Sequence, residues 1–257
     1  MKRHAIAGRI RRSRDFMKHY AGALLLACIA LTGMAGAAAA TEVVPLAPFE
    51  SSYAIIWHGF TAGISRFALR QDPSGQWIYV SRNDPRGLFS LVPKASLTLT
   101  SRMSVDADGV RPLEFTAADP DNGKLQAQVR FDWSALHASG VVEGTTIDMA
   151  LHPGVQDDLS IQVAMMHALA NGQMPAGISL FDKNGIRDYE YTRVGAETLQ
   201  TAVGPLQTVI YRSHKANSPR SNRYWCAPEL GFLPVQMEQQ NNGKVEFVIK
   251  LQSMHRN

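Results

Sequence analysis

From Phe49 onward, apolar and polar residues alternate with a period of two. Leu97, Leu99, Met103 and Val105 are interleaved with Ser96, Thr98, Thr100, Arg102 and Ser104. Leu125, Ala127, Val129 and Phe131 alternate with Lys124, Gln126, Gln128, Arg130 and Asp132, and Val245, Phe247, Ile249 and Leu251 repeat the pattern. Successive side chains of a strand point to opposite faces, so each run offers one face to a core and one to water. That is the habit of antiparallel sheet. Turn residues separate the runs at hairpin spacing: Asp72-Pro73-Ser74-Gly75, Asp106-Ala107-Asp108-Gly109, Asp119-Pro120-Asp121-Asn122-Gly123, Lys183-Asn184-Gly185 and Asn241-Asn242-Gly243. Asn-Gly supplies the positive φ angles of a type I′ turn, which predicts that residues 178–183 and 186–193 pair as a hairpin. Counted this way, the chain holds about a dozen strands.

One segment departs from that period. Asp157-Asp158 can cap a helix carrying Leu159, Val163, Met166 and Ala170, which Asn171-Gly172 stops ahead of Pro175. Ile161, Met165 and Leu169 add apolar positions around it, so the helix is expected to be covered on more than one side. No Pro- or Ser-rich linker and no internal repeat divides the chain. The predicted fold is mainly β: a single antiparallel, strongly curved sheet or barrel-like domain over 41–257, with one packed α-helix over about 158–170.

Composition changes the picture only after the first forty residues are set aside. Arg9, Arg11, Arg12, Arg14 and Lys18 lead into an apolar run from Ala21 to Met34, which closes on Ala37 to Ala40. Charge, apolar core and small-residue exit form the layout of a secretory signal peptide, with the product beginning near Thr41. Two other routes stay open: lipidation of Cys28 after Leu25-Leu26-Ala27, and an uncleaved anchor over Ala21–Ala40. The whole chain has a formal net charge of +4, but its leader holds seven basic residues and one acidic. The remainder carries 19 basic and 21 acidic residues, so nucleic acid is not an expected partner. A periplasmic location is expected, with no second apolar run long enough to span a membrane. Only Cys226 is left outside the leader, and beside Trp225 it reads as a small buried hydrophobe.

Candidate chemistry is sparse. The six histidines beyond the leader stand singly, without metal-ligand spacing, and the Asp-rich turns lack the distal Glu of a calcium loop. Gly63-Ile64-Ser65-Arg66-Phe67 lacks the second glycine of a nucleophile elbow. No catalytic residue, metal site or cofactor is expected. The most distinctive segment is Pro219-Arg220-Ser221-Asn222-Arg223-Tyr224-Trp225, ahead of a Pro-bounded corner. Arg220, Arg223 and Trp225, with Trp57 near the start, are the candidate ligand-binding residues: an arginine and aromatic patch suits an anionic group on an apolar ligand. The alternative, which the pattern favours, is structural. There Arg223 pairs with an acid such as Glu229 or Glu238, and Trp57 joins Tyr53 and Ile55 in a core face.

Several of these pieces form an ordered set. Tyr53-Ala54-Ile55-Ile56-Trp57-His58-Gly59, Gly87-Leu88-Phe89, Arg111-Pro112-Leu113-Glu114-Phe115, Gly204-Pro205-Leu206-Gln207-Thr208, Arg223-Tyr224-Trp225 and Pro228-Glu229-Leu230-Gly231-Phe232-Leu233-Pro234-Val235 cover nearly all of 50–251. Together they resemble an uncharacterised family of secreted proteobacterial proteins, known only as a domain of unknown function. The resemblance implies a periplasmic, mainly antiparallel β domain and carries over no catalytic residue. Three function classes follow in order of preference. They are a non-enzymatic carrier for an apolar or lipid-like ligand, an envelope protein interaction or assembly module, and an enzyme.

Overall fold

The computed structural model describes residues 46–87, 96–175 and 177–256; the expected leader, Cys28 and the expected start near Thr41 lie outside them. Strands β1 (Phe49–Trp57), β2 (Phe60–Gln71), β3 (Trp77–Pro85), β4 (Thr98–Asp106), β5 (Gly109–Ala118), β6 (Leu125–Asp132), β7 (His137–Val142) and β8 (Thr145–Ala150) run in sequence order. After them come β9 (Val155–Gln156), helix α1 (Ser160–Ala170), β10 (Gly177–Asp182), β11 (Gly185–Thr201), β12 (Gly204–His214), β13 (Arg220–Ala227), β14 (Leu233–Asn241) and β15 (Lys244–Arg256). All fifteen form one sheet, in the order β8-β7-β6-β5-β4-β3-β2-β1-β15-β14-β13-β12-β11-β10-β9. Neighbours are antiparallel except β9 and β10, which run parallel on either side of α1.

This order requires strong curvature. Laid flat, the sheet would be about 67 Å wide at ~4.8 Å per strand. Yet its two edges, β8 and β9, are consecutive in the chain and joined by residues 151–154 alone. Five Cα steps reach at most about 18 Å. The sheet therefore curls until its edges nearly meet, without pairing them, and it stays an open roll rather than a closed barrel. Inside the curl, the Gln156 amide donates to the Val110 carbonyl at 2.8 Å, tying β9 to β5.

The expected helix is present, and Asp157 caps it. Its Oδ1 accepts the backbone N–H groups of Leu159 (2.8 Å) and Ser160 (2.7 Å), and its own N–H donates to Ser160 Oγ at 2.8 Å. These bonds satisfy donors that a helix start leaves orphaned. Ser160, Val163, Met166 and Leu169 form the buried stripe, and α1 packs on β4, β5 and β9. The core around it includes Phe49, Tyr79, Met103, Phe115, Val129 and Leu251.

Two details differ from expectation. The 178–183 and 186–193 segments do pair, but Asp182 opposes Gly185 and the positive φ falls on Gly185 (129°), not on Asn184. The type I′ turn is found instead at Asn242 (49°) and Gly243 (77°). Among the described residues the strands number fifteen rather than about a dozen. One of the additions, β9, is only two residues long and too short to show alternation.

Candidate functional site

The stripe of α1 that faces the core leaves Ile161 and Met165 over. They do not remain in water. Together with Gln162 they form one wall of a cavity of about 230 Å³, whose opposite wall is the sheet. β1 contributes Tyr53 and β2 Phe67; β11, β12 and β13 contribute Tyr191, Tyr211, Tyr224 and Cys226; β14 and β15 add Met237 and Ile249. The aromatic residues converge because of register: Tyr211 lies directly opposite Tyr224, and Tyr224 opposite Met237. Tyr191 and Tyr224 are near-parallel, with ring centroids 6.4 Å apart at 27°. The Tyr53 ring meets Phe67 edge-on at 5.5 Å, and its hydroxyl donates to the Pro234 carbonyl at 3.0 Å.

Few polar groups enter this space. Burial raises the pKa of Tyr53, Tyr191, Tyr211 and Tyr224, so their hydroxyls stay neutral across the physiological range. The Cys226 thiol is pushed up to about 12 by burial, which makes it a poor nucleophile. Gln162 Nε2 sits beside the Tyr79 hydroxyl, yet neither atom completes a hydrogen bond among the described residues. Asp158 is the one charged side chain among the lining residues. Its carboxyl is raised to about 6, first by desolvation and then by the charges of Asp157 and Asp182. The residue is nonetheless exposed, so water reaches its carboxylate even though it lines the cavity.

The four candidates from the sequence lie elsewhere. Trp225 alternates with Tyr224 and Cys226, both of which line the cavity, so its ring projects from the other face of β13. There it is 4% exposed, opposite Ile210, and its Nε1–H donates to Glu197 Oε1 at 2.5 Å. The Arg223 guanidinium stacks over that ring at 4.8 Å from the centroid, and Glu238 faces Arg223 across the β13–β14 ladder. Arg220 is exposed at the start of β13. Trp57 is 39% exposed at the end of β1, its ring 4.4 Å from that of His58. The structure thus brings Arg223 and Trp225 together on the face of β13 away from the cavity, places neither Arg220 nor Trp57 with them, and leaves all four outside the cavity lining.

Asp158 and the tyrosines of β11, β12 and β13 escaped the sequence reading. One clue was present: a cap needs a single carboxylate, so the second of the Asp157-Asp158 pair was left without a task.

An open antiparallel sheet curled over one helix, with an aromatic cavity between them, defines the class of this protein. The chain belongs to the family described as "Protein of unknown function (DUF3108)", whose model matches residues 52–250. No curated protein matches it. Among solved structures, it is similar to a beta-barrel-like protein of the domain of unknown function DUF1849 from Brucella abortus. That match has a TM-score of 0.53 at 12% identity, covering 83% of this chain and 99% of that one. A lesser likeness, with a TM-score of 0.35 at 10% identity, is to the MucA/MucB complex of Pseudomonas aeruginosa; it covers 81% of this chain and 51% of that one. The fold comparison rests on the first. No helix among the described residues is long and apolar enough to cross a membrane.

Proposed function

We propose that this is a non-enzymatic carrier of the bacterial periplasm, which holds an apolar or lipid-like molecule between α1 and the concave face of the sheet. One observation carries the reading: apolar and aromatic side chains of α1 and the sheet line a half-open cavity of about 230 Å³ between them. Protein interiors are otherwise close-packed, with few voids larger than a water molecule. An apolar cavity of about 150 Å³ is enough for a benzene-sized guest, whereas drug-sized pockets begin near about 300 Å³. This one therefore suits a single short chain or the end of a longer one. The neutral hydroxyls and the inert thiol suit holding a molecule better than transforming it. The leader-like N-terminus supports export.

Native mass spectrometry of protein purified from its own periplasm tests this. The expected spectrum shows the chain with one non-covalent small molecule of lipid-like mass, released on activation. A bare chain, or a stoichiometric partner protein in place of the small molecule, overturns the carrier and favours an interaction module.

A further inference from the structure

We propose that the cavity is a cage for an organic ammonium head group, with Asp158 as its counter-charge and the rings of Tyr191, Tyr211 and Tyr224 as its walls. The inference rests on the carrier reading and narrows it: the apolar body of the ligand fills the space beside Ile161 and Met165, and the cation lies toward Asp158.

The aromatic wall is the first argument. Three tyrosines project from three successive strands onto one side of the cavity, two of them cross-strand partners and two of them stacked. Ring faces carry negative quadrupole charge and attract ammonium groups, most strongly where water is excluded. Apolar ligands alone do not call for tyrosine there, since leucine or phenylalanine would bury as much surface without a hydroxyl to desolvate.

Asp158 is the second, independent argument. It forms no hydrogen bond or ion pair among the described residues, and the capping role belongs to Asp157. Its raised pKa marks a carboxylate whose ionisation the fold opposes. Because the folded-state value, about 6, lies above the ordinary 3.8, the folded protein holds the proton more tightly. Stability is therefore lost as pH rises through that interval. A cationic guest supplies the missing partner, and an anionic head group would meet a like charge. The groups around Asp158 are Asp157 beside it, Asp182 on β10, the neutral tyrosines of β1 and β11–β13, and Cys226. Arg193 stands across from Tyr211 in the β11–β12 ladder; it is exposed and does not line the cavity.

Calorimetric titration of the protein, stripped of co-purified ligand, with octyltrimethylammonium, octanol and octanoate separates the outcomes. These probes share one chain length suited to the cavity and differ in head group, and the quaternary cation cannot titrate. Near pH 8 octyltrimethylammonium is expected to bind about tenfold more tightly than octanol. That advantage should be absent in Asp158→Asn and should fade in the native protein near pH 5, as Asp158 takes up its proton. Octanol should bind the variant as it binds the native protein, which also shows that the variant is folded. Equal affinity for the ammonium and the alcohol, tightest binding of octanoate, or an undiminished ammonium advantage in Asp158→Asn overturns the ammonium cage and leaves the apolar carrier standing. Failure of all three probes to bind removes both.

Discussion

Asp157→Ala is expected to destabilise the fold by about 3 kcal/mol, seen as a lower urea midpoint with an unchanged slope. Asp157 is fully buried, and its carboxylate serves two elements at once. Oδ1 holds the first turn of α1, while Oδ2 accepts from Ser101 Oγ on β4 at 2.6 Å. Alanine removes the cap, worth ~0.5–2 kcal/mol, and strands a buried serine hydroxyl, which costs ~1–3 kcal/mol more. Desolvation raises the Asp157 pKa, and these hydrogen bonds oppose the rise without cancelling it. Asp157→Asn keeps an acceptor at Oδ1 and presents an amide to Ser101 Oγ, which can turn to accept. Its cost should be well under half that of alanine. Because the helix start also sets Ile161 and Gln162 at the cavity wall, Asp157→Ala should weaken ligand retention as well.

Trp225→Ala should cost more, about 3–5 kcal/mol, or a melting temperature roughly 6–20 °C lower. The ring is 4% exposed, so truncation leaves a large void opposite Ile210. It also leaves Glu197 without the indole donor and Arg223 without the ring it stacks on. The ring projects away from the cavity, so small-molecule content per folded chain should be unchanged. Calorimetric melting and native mass spectra of the same preparation read both quantities. A small loss of stability accompanied by loss of the bound molecule would return Arg223 and Trp225 to the ligand site.

The strands were legible because half-buried strands write their two faces into alternate positions, as residues 97–105 and 125–132 do. The helix was legible from Asp157 and Asn171-Gly172, and its surplus of apolar positions was real: Ile161 and Met165 lie off the core stripe, against the cavity. Turn type was less legible. Asn184-Gly185 and Asn242-Gly243 carry the same dipeptide, yet the ladder register decides which residue takes the positive φ. The cavity was not legible at all. Its walls come from β1, β2, α1 and β11–β15, nearly two hundred residues apart, and they meet only because β1 pairs with β15 and the sheet curls. Alternation tells that Tyr211 and Val209 share a face, but not that this face is concave or that a helix covers it. Trp225 drew attention as the larger aromatic, while its neighbour Tyr224 faces the cavity.

The central claim is that the space between α1 and the β11–β14 face is a ligand site. A crystal structure of protein purified from its own periplasm, without added ligand, tests it most directly. The predicted result is continuous elongated density along Met165, Tyr191, Tyr224 and Met237, ending beside the Asp158 carboxylate. A cavity closed by inward rotation of those side chains, or one containing only separate waters, would contradict the account.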